Sequence, residues 1–180
     1  MRTRISLAAL SALTLVALAS PPAHAEFFEI DDPADAKGSL TDITGLTARH
    51  GNENLLVKVR FTELMRSSAA GVSVFLDTDR EVPGPELVLS SGLGDGTDYV
   101  LTEADGWRGS DDRVRCDYAA QPKWGRDVFR AVIGRECFDR LPSVRVSVKM
   151  VDQADGSHPI VDWVPQRRRW TLPVGSGLSA

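Results

Sequence analysis

Apolar and polar residues alternate along much of the chain after residue 50. The clearest stretch is 55–61, where every second residue is apolar and the residues between include Lys58 and Arg60. A period of two places alternate side chains on opposite faces of a β-strand. Residues 72–76 repeat the pattern with Phe75 on the otherwise polar face. We therefore predict two half-buried strands that are neighbours in a sheet.

Similar segments recur along the chain, bounded by Gly, Pro, Asp or Asn, and no segment keeps a helical period. This pattern predicts an all-β fold, an antiparallel β-sandwich of about eight strands with one buried face each. The remaining strands are predicted at 41–48, 99–102, 114–118, 128–133, 144–150 and 170–174. The predicted core consists of Val57, Val59, Phe61, Val74, Leu76, Val114, Cys116, Phe129, Ala131, Ile133, Val144, Val146 and Val148.

The beginning of the chain has the composition of a secretory signal peptide. A short basic start precedes an apolar run at 5–19, and small residues follow where a signal peptidase would cut. The run is too short to cross a bilayer comfortably. We predict a signal peptide at 1–25, a single domain at 26–174, a flexible tail at 175–180, and a secreted, extracellular protein without a membrane anchor.

Composition and charge narrow the range of partners. The chain is 42% hydrophobic and 26% charged, which is ordinary for a globular domain and excludes collagen-like or wholly disordered proteins. Its net charge of -4 becomes -6 once Arg2 and Arg4 leave with the signal peptide. No basic stripe is present, so nucleic acid is not an expected partner.

Cys116 and Cys137 are the two cysteines of the chain. In an oxidising compartment such a pair normally forms a disulfide, and we predict one with a structural role. A metal pair or a reactive thiol is the alternative, but CxxC spacing and a nearby histidine are missing.

An acidic segment, Asp77-Thr78-Asp79, falls where a predicted strand ends. Clustered carboxylates favour calcium, which makes Asp77 and Asp79 candidate ligands and calcium the one candidate cofactor. The EF-hand pattern fails, because Val82 and Val88 stand where its glycine and glutamate belong. A solvated turn is the alternative. The calcium interpretation becomes strong only if the second acidic loop, 94–98, lies next to the first.

Tryptophans in predicted loops are candidates for ligand stacking. Trp107 and Trp124 are both flanked by loop residues, and we predict that they bind ligand. We expect Trp163 to plug one end of the sandwich, since a large aromatic ring more often contributes buried area than ligand contact. Stacking on a sugar ring is the alternative for this residue. The basic run 167–169 is assigned no ligand, because alternation would split it between two faces.

Catalytic motifs are missing from the chain. GxSxG, HExxH and paired-histidine spacings do not occur. His50 and His158 both lie in predicted turns. The chain is therefore predicted not to be an enzyme.

The order of these features resembles exported sandwich domains related to family-nine carbohydrate-binding modules and to DOMON domains. The matching pieces are DDPAD at 31–35, LTDI at 40–43, the strand at 55–61, FLDTD at 75–79 and DYVL at 98–101. They span much of the chain after residue 25, but each is short. The resemblance implies an immunoglobulin-like β-sandwich with a ligand on loops or on a sheet face.

Relatives of this kind bind sugar or haem. The haem-binding branch uses Met and His ligands, and Met65, Met150, His50 and His158 match no such motif. The sugar-binding branch relies on aromatic stacking and calcium, for which the tryptophans and the acidic segment named above are positional candidates. We therefore predict a secreted, non-catalytic binding module for polysaccharide or cell-wall glycan. The alternative is an exported structural or protein-interaction domain without a small ligand, whose partner is a protein.

Overall fold

A computed structural model of the chain describes residues 26–154 and 156–177. The predicted signal peptide, 1–25, lies outside them. Two antiparallel sheets form an all-β sandwich, as predicted, with twelve strands in place of about eight. The strands are β1 (Glu26–Asp31), β2 (Ile43–His50), β3 (Asn54–Phe61), β4 (Ala70–Asp77), β5 (Leu87–Gly92), β6 (Tyr99–Ala104), β7 (Gly109–Arg113), β8 (Tyr118–Lys123), β9 (Val128–Gly134), β10 (Ser143–Asp152), β11 (Ile160–Val164) and β12 (Val174–Gly175).

One sheet has five strands and the other seven. The five-stranded sheet has the order β1-β2-β3-β9-β8. The seven-stranded sheet has the order β11-β10-β4-β5-β6-β7, and β12 pairs with the start of β10. The chain therefore changes sheets three times, after β3, after β7 and after β9.

Alternating apolar residues from both sheets fill the space between them. Val57 and Val59 of β3, Val74 of β4 and Val146 and Val148 of β10 are fully buried there. Burying such side chains stabilises the fold by roughly 1.5–3 kcal/mol each. The predicted core is confirmed, except that Val114 and Cys116 are only partly buried at its margin.

Two predicted strands are wrong. Residues 114–117 connect β7 of one sheet to β8 of the other. Their alternating pattern therefore belongs to a connection between the sheets and not to a strand. Of 170–174, only Val174 is in a strand, because residues 166–169 form a turn and the chain returns over the sheet before β12. The strands β1, β5, β7, β8 and β11 were not predicted.

The predicted disulfide joins Cys116, in the crossing segment, to Cys137, in a short 3-10 turn after β9. The bond therefore ties the segment before β8 to the turn after β9, the strand that pairs with β8. It closes a loop with a sequence separation of 21 residues, which stabilises the fold by roughly 3 kcal/mol in the chain-entropy model.

The end of the described chain packs against its beginning. The Gly175 N–H donates a hydrogen bond to a Glu26 carboxylate oxygen at 2.7 Å. Val174 O lies 3.0 Å from Nδ1 of His50, which is fully buried at the end of β2 and not in the turn where it was predicted. The predicted tail, 175–180, therefore begins with ordered residues, since Ser176 is also buried, while 178–180 lie outside the description.

The described ranges contain no helix with the length and apolar character needed to span a membrane.

Candidate functional site

The outer face of the seven-stranded sheet buries an aromatic residue. Val74 and Leu76 of β4 point into the sandwich, so strand alternation directs Phe75 outward. Phe75 is nevertheless only 1% exposed, and it is not part of the core between the sheets. Its neighbours across the ladder are Ser147 and Val88. Something on the outside of the sheet must therefore cover it.

Two tryptophan rings contact Phe75, and a third is stacked on one of them. Trp163 of β11 is stacked nearly parallel to it, with centroids 5.5 Å apart and an interplanar angle of 14°. Trp107 meets Phe75 edge to face at 5.2 Å and Trp163 at 5.4 Å. Trp170 is stacked on Trp107 at 4.8 Å. Such geometries are favourable beyond the area that they bury. We call Phe75, Trp107, Trp163 and Trp170 the aromatic cluster.

Two loops and an edge strand bring these rings together. Trp107 lies in the β6–β7 loop, which is closed by the hydrogen bond from Asp105 N–H to Arg108 O and by the ion pair of the same two side chains. Trp170 lies after β11, and the next residue, Thr171, exchanges two hydrogen bonds with the backbone of Val146. These contacts fix both loops over the sheet.

An ion pair between a buried carboxylate and a partly exposed guanidinium lies beside the cluster. Asp77, the last residue of β4, is fully buried and pairs with Arg145 of β10, directly opposite in the ladder. The Arg145 guanidinium lies 5.7 Å from the Trp170 ring centroid. Burial raises the pKa of Asp77, and the charge and hydrogen bond of Arg145 act in the opposite direction. The ion pair is therefore part of the covered outer face.

An open depression borders the cluster, and we call it the tryptophan pocket. Its volume is about 300 Å³, at the lower end of the range for small-molecule sites. It is lined by Trp107, Lys149, Val161, Trp163, Arg167 and Arg168. The ammonium of Lys149 lies 5.7 Å from the centroid of the Trp163 ring. Half-buried rings and cations thus face the same space.

A second depression continues along the same sheet face, and we call it the serine groove. Its volume is about 490 Å³, and its floor includes Gly71, Ser73, Ser90 and Gly92. Ser73 is paired with Lys149 of the tryptophan pocket, so the two depressions adjoin. Small residues keep this part of the sheet uncovered. Together the two depressions have one end lined by aromatic and cationic side chains and another end lined by small and polar residues.

The two tryptophans predicted to bind ligand are not brought together. Trp107 belongs to the aromatic cluster, after the end of β6. Trp124 lies toward the other end of β6, where its Nε1 donates a hydrogen bond to Leu93 O at 2.9 Å. The Arg66 guanidinium covers the Trp124 ring at 4.2 Å. Trp124 is therefore engaged by the protein itself.

The two acidic loops do not converge. Asp77 is at the end of β4 and Asp79 is exposed beyond it. The loop 94–98 lies at the start of the same strand, where Leu93 N–H bonds to Ala70 O. Asp77 is also engaged with Arg145. The juxtaposition that the calcium interpretation requires is therefore missing.

A different group of carboxylates is clustered at the margin between the sheets. Oxygens of Asp32, Asp35 and Asp162 lie within 4.8 Å of one another. Burial, and to a smaller extent the negative charges of Asp162, Asp35 and Asp42, together raise the pKa of Asp32 to about 7. Asp162 accepts backbone hydrogen bonds from Ile43 and Trp163, so its oxygens are already engaged. The group has ligand types that suit a hard cation. Sequence reasoning missed it because Asp162 is far along the chain from Asp32 and Asp35.

Sequence reasoning also missed most of the tryptophan pocket. Trp163 does not plug the sandwich end, since alternation in β11 turns it outward between the buried Asp162 and Val164. The run 167–169 is not split between two faces, because it lies in a turn where Arg168 has a φ of 56°. Arg167 and Arg168 both line the pocket in consequence. The hydropathy pattern of 160–164 holds no signal for this orientation, because the inward-facing Asp162 is polar and the outward-facing Val161 and Trp163 are apolar.

Fold and surface together define an all-β sandwich with a covered aromatic cluster and an adjoining pocket on one outer face. Neither a comparison with protein-family models nor searches of curated proteins and of solved structures finds a match to this chain. The resemblance to family-nine carbohydrate-binding modules and DOMON domains therefore stays a prediction.

Proposed function

We propose that the chain is an exported, non-catalytic binding module for extracellular glycan, and that the tryptophan pocket is its binding site. The observation that carries this proposal is the presence of Trp107 and Trp163 in the wall of an open pocket on a sheet face. The disulfide supports export, because such bonds persist in oxidising compartments.

Stacking explains how such a site would work. A sugar ring presents C–H groups on its face, and an indole offers a large, rigid apolar surface with little side-chain entropy to lose. The aromatic cluster holds both rings in place, since Trp163 is stacked on Phe75 and Trp107 on Trp170. A site fixed before binding loses less entropy when the ligand arrives. The serine groove would accept further sugar units through hydroxyl contacts.

Retention on insoluble polysaccharides tests the proposal. We expect residues 26–180 to be retained on at least one member of a panel of cellulose, xylan, chitin and isolated cell walls. Trp163→Ala should lower the affinity at least ten-fold, which corresponds to about 1.4 kcal/mol. Trp124→Ala is the matched control, the same change outside the pocket, and should leave retention unchanged.

A second variant protects the test against misfolding. Val161 is 45% exposed and lines the pocket, so Val161→Gln adds bulk there without removing a ring of the cluster. It should weaken retention while the thermal unfolding midpoint stays within a few degrees of the parent. Full retention by both pocket variants would refute this location of the site, and no retention of the parent would refute glycan binding on this panel.

One observation favours the second candidate, a protein-interaction domain. Strand β1 is at the edge of the five-stranded sheet and exposes 60% of Phe27. Edge strands can pair with strands of other chains. A partner captured by the parent and lost with Phe27→Lys, together with no glycan retention, would support this function over the first.

A further inference from the structure

We infer that the tryptophan pocket selects an anionic glycan, one that carries carboxylate or sulfate groups. This inference rests on the proposed function and names the ligand class of the same site. The feature that carries it is the combination of two indole rings with Lys149, Arg167 and Arg168 in one pocket wall.

The charge of the pocket is opposite to that of the chain. The net charge is -4 for the whole sequence, yet the six lining residues include three cations and no carboxylate. A cationic site on an acidic protein attracts anions locally, while the rest of the surface repels them. Neutral sugars can accept hydrogen bonds from these cations but gain no charge attraction from them.

The three cations are available to a ligand. In the part of the chain that the structure describes, no carboxylate lies at ion-pair distance from Lys149, Arg167 or Arg168. The nearest acidic side chain along the Trp107 loop, Asp105, is held by Arg108. Guanidinium groups match the geometry of carboxylate and sulfate oxygens.

The turn at 166–169 explains why two consecutive arginines face one space. Arg169 N–H donates to Gln166 O at 3.0 Å, which closes the turn, and Arg168 adopts a left-handed backbone conformation. Left-handed backbone is uncommon for a residue with a side chain. Here it directs Arg167 and Arg168 toward the pocket that Trp163 also lines.

Paired polymers that differ only in charge provide the test. We would measure affinity electrophoresis of residues 26–180 in polygalacturonate and in its methyl ester, and in dextran sulfate and dextran. Retardation should be at least ten-fold stronger in one charged polymer than in its neutral counterpart. The carboxylate and sulfate arms show which anion is taken, and binding in either supports the inference.

Matched double variants separate a local effect from net charge. Arg167→Gln with Arg168→Gln should weaken binding of the charged polymer at least ten-fold, because both guanidinium groups lose their charge-assisted hydrogen bonds to the anions of the polymer. Lys58→Gln with Arg130→Gln removes two exposed cations from the outer face of the other sheet and should change binding less than two-fold.

The outcomes that would contradict the anionic selectivity differ from those that would contradict the proposed function. Equal binding to charged and neutral polymers, or equal losses in both double variants, would overturn the anionic selectivity. If retention on neutral polysaccharides still depended on Trp163, the proposed glycan-binding function would stand without the anionic selectivity. No binding to any charged or neutral polymer would overturn both.

Discussion

A row of residues on the outer face of one sheet is polar and largely exposed, and the matching row on the other sheet is buried. One row across the five-stranded sheet reads Glu29, Thr47, Lys58, Arg130 and Gln121, all polar. One row across the seven-stranded sheet reads Ser147, Phe75, Val88 and Thr102, and every member is buried. Both rows alternate with core residues in the same way. The alternation along a strand therefore identifies which side chains point away from the core. The loops determine whether those side chains are exposed to solvent.

The covered face is a second, smaller core. Its rings come from β4, from an edge strand and from two loops, and it encloses a charged pair as well as apolar groups. The five-stranded sheet has loops that leave its face open. A pocket arises on the covered face because the covering stops at Lys149 and Trp163, and small residues continue from there.

The largest expected effect comes from removing the centre of the covered face. Phe75→Ala should lower the free energy of unfolding by roughly 3–5 kcal/mol, as for a residue of a true core. Lys58→Ala, on the open face, should change it by less than about 0.5 kcal/mol. Urea unfolding followed by tryptophan fluorescence measures both. A cost below about 1 kcal/mol for Phe75→Ala would mean that the two faces do not differ in this way.

Ion pairs on the two faces should differ next. Arg145→Ala leaves the Asp77 carboxylate buried without its partner, which should cost about 3 kcal/mol. Arg60→Ala breaks the exposed pairs with Glu29 and Asp31 and should cost about 0.5 kcal/mol. Chemical denaturation measures the two losses.

A double change provides the control for this comparison. Asp77→Leu with Arg145→Met removes both charges of the pair and should recover most of the stability lost in Arg145→Ala, because no unpaired buried carboxylate is left. Similar losses for Arg145→Ala and Arg60→Ala would contradict the assignment of Asp77 to a covered site.

The smallest effect concerns carboxylates that lie between the sheets without a paired cation. The pKa of Asp32 is about 7 in the fold against 3.8 for the free side chain. The folded state thus binds the proton more tightly, so its contribution to stability is full below pH 3.8 and is lost as pH rises through 7. Asp32→Asn should therefore match the parent at pH 4 and exceed it at pH 8, by on the order of 1 kcal/mol after solvent screening.

Thermal unfolding at both pH values, in chelator, measures this difference. The chelator prevents a divalent cation from neutralising the carboxylates. An Asp32→Asn variant that is less stable than the parent at pH 8 would contradict the raised pKa.

The local hydrophobic pattern was sufficient to predict which residues form the core, but insufficient to predict the strands and contacts at the surface. Val57, Val59 and Val74 were placed correctly because burial in a strand leaves a period of two. Strand β1 was missed because the adjacent Phe27 and Phe28 break the period of two. Strand β8 was missed because its edge position tolerates Pro122, a residue type typical of loops.

The site depended on information that local pattern does not hold. The outward direction of Phe75 was predictable, but its cover comes from residues 32 and 88 positions further along the chain, Trp107 and Trp163. The convergence of Asp32 with Asp162 is equally remote. Such contacts follow from strand order, which the periodicity of single segments does not specify.

The meeting of β1 and β12 has a consequence for chain connectivity. Because Glu26 and Gly175 touch, a short peptide could join them, and new termini could be opened in an exposed turn such as 79–83, giving a circular permutant of the same sandwich. The junction is opposite Ser143, six residues along β10 from Lys149, a distance of about 20 Å in an extended strand. Without permutation, β1 and β12 bring both ends of the sandwich to this one point, as insertion of a module into a host protein requires.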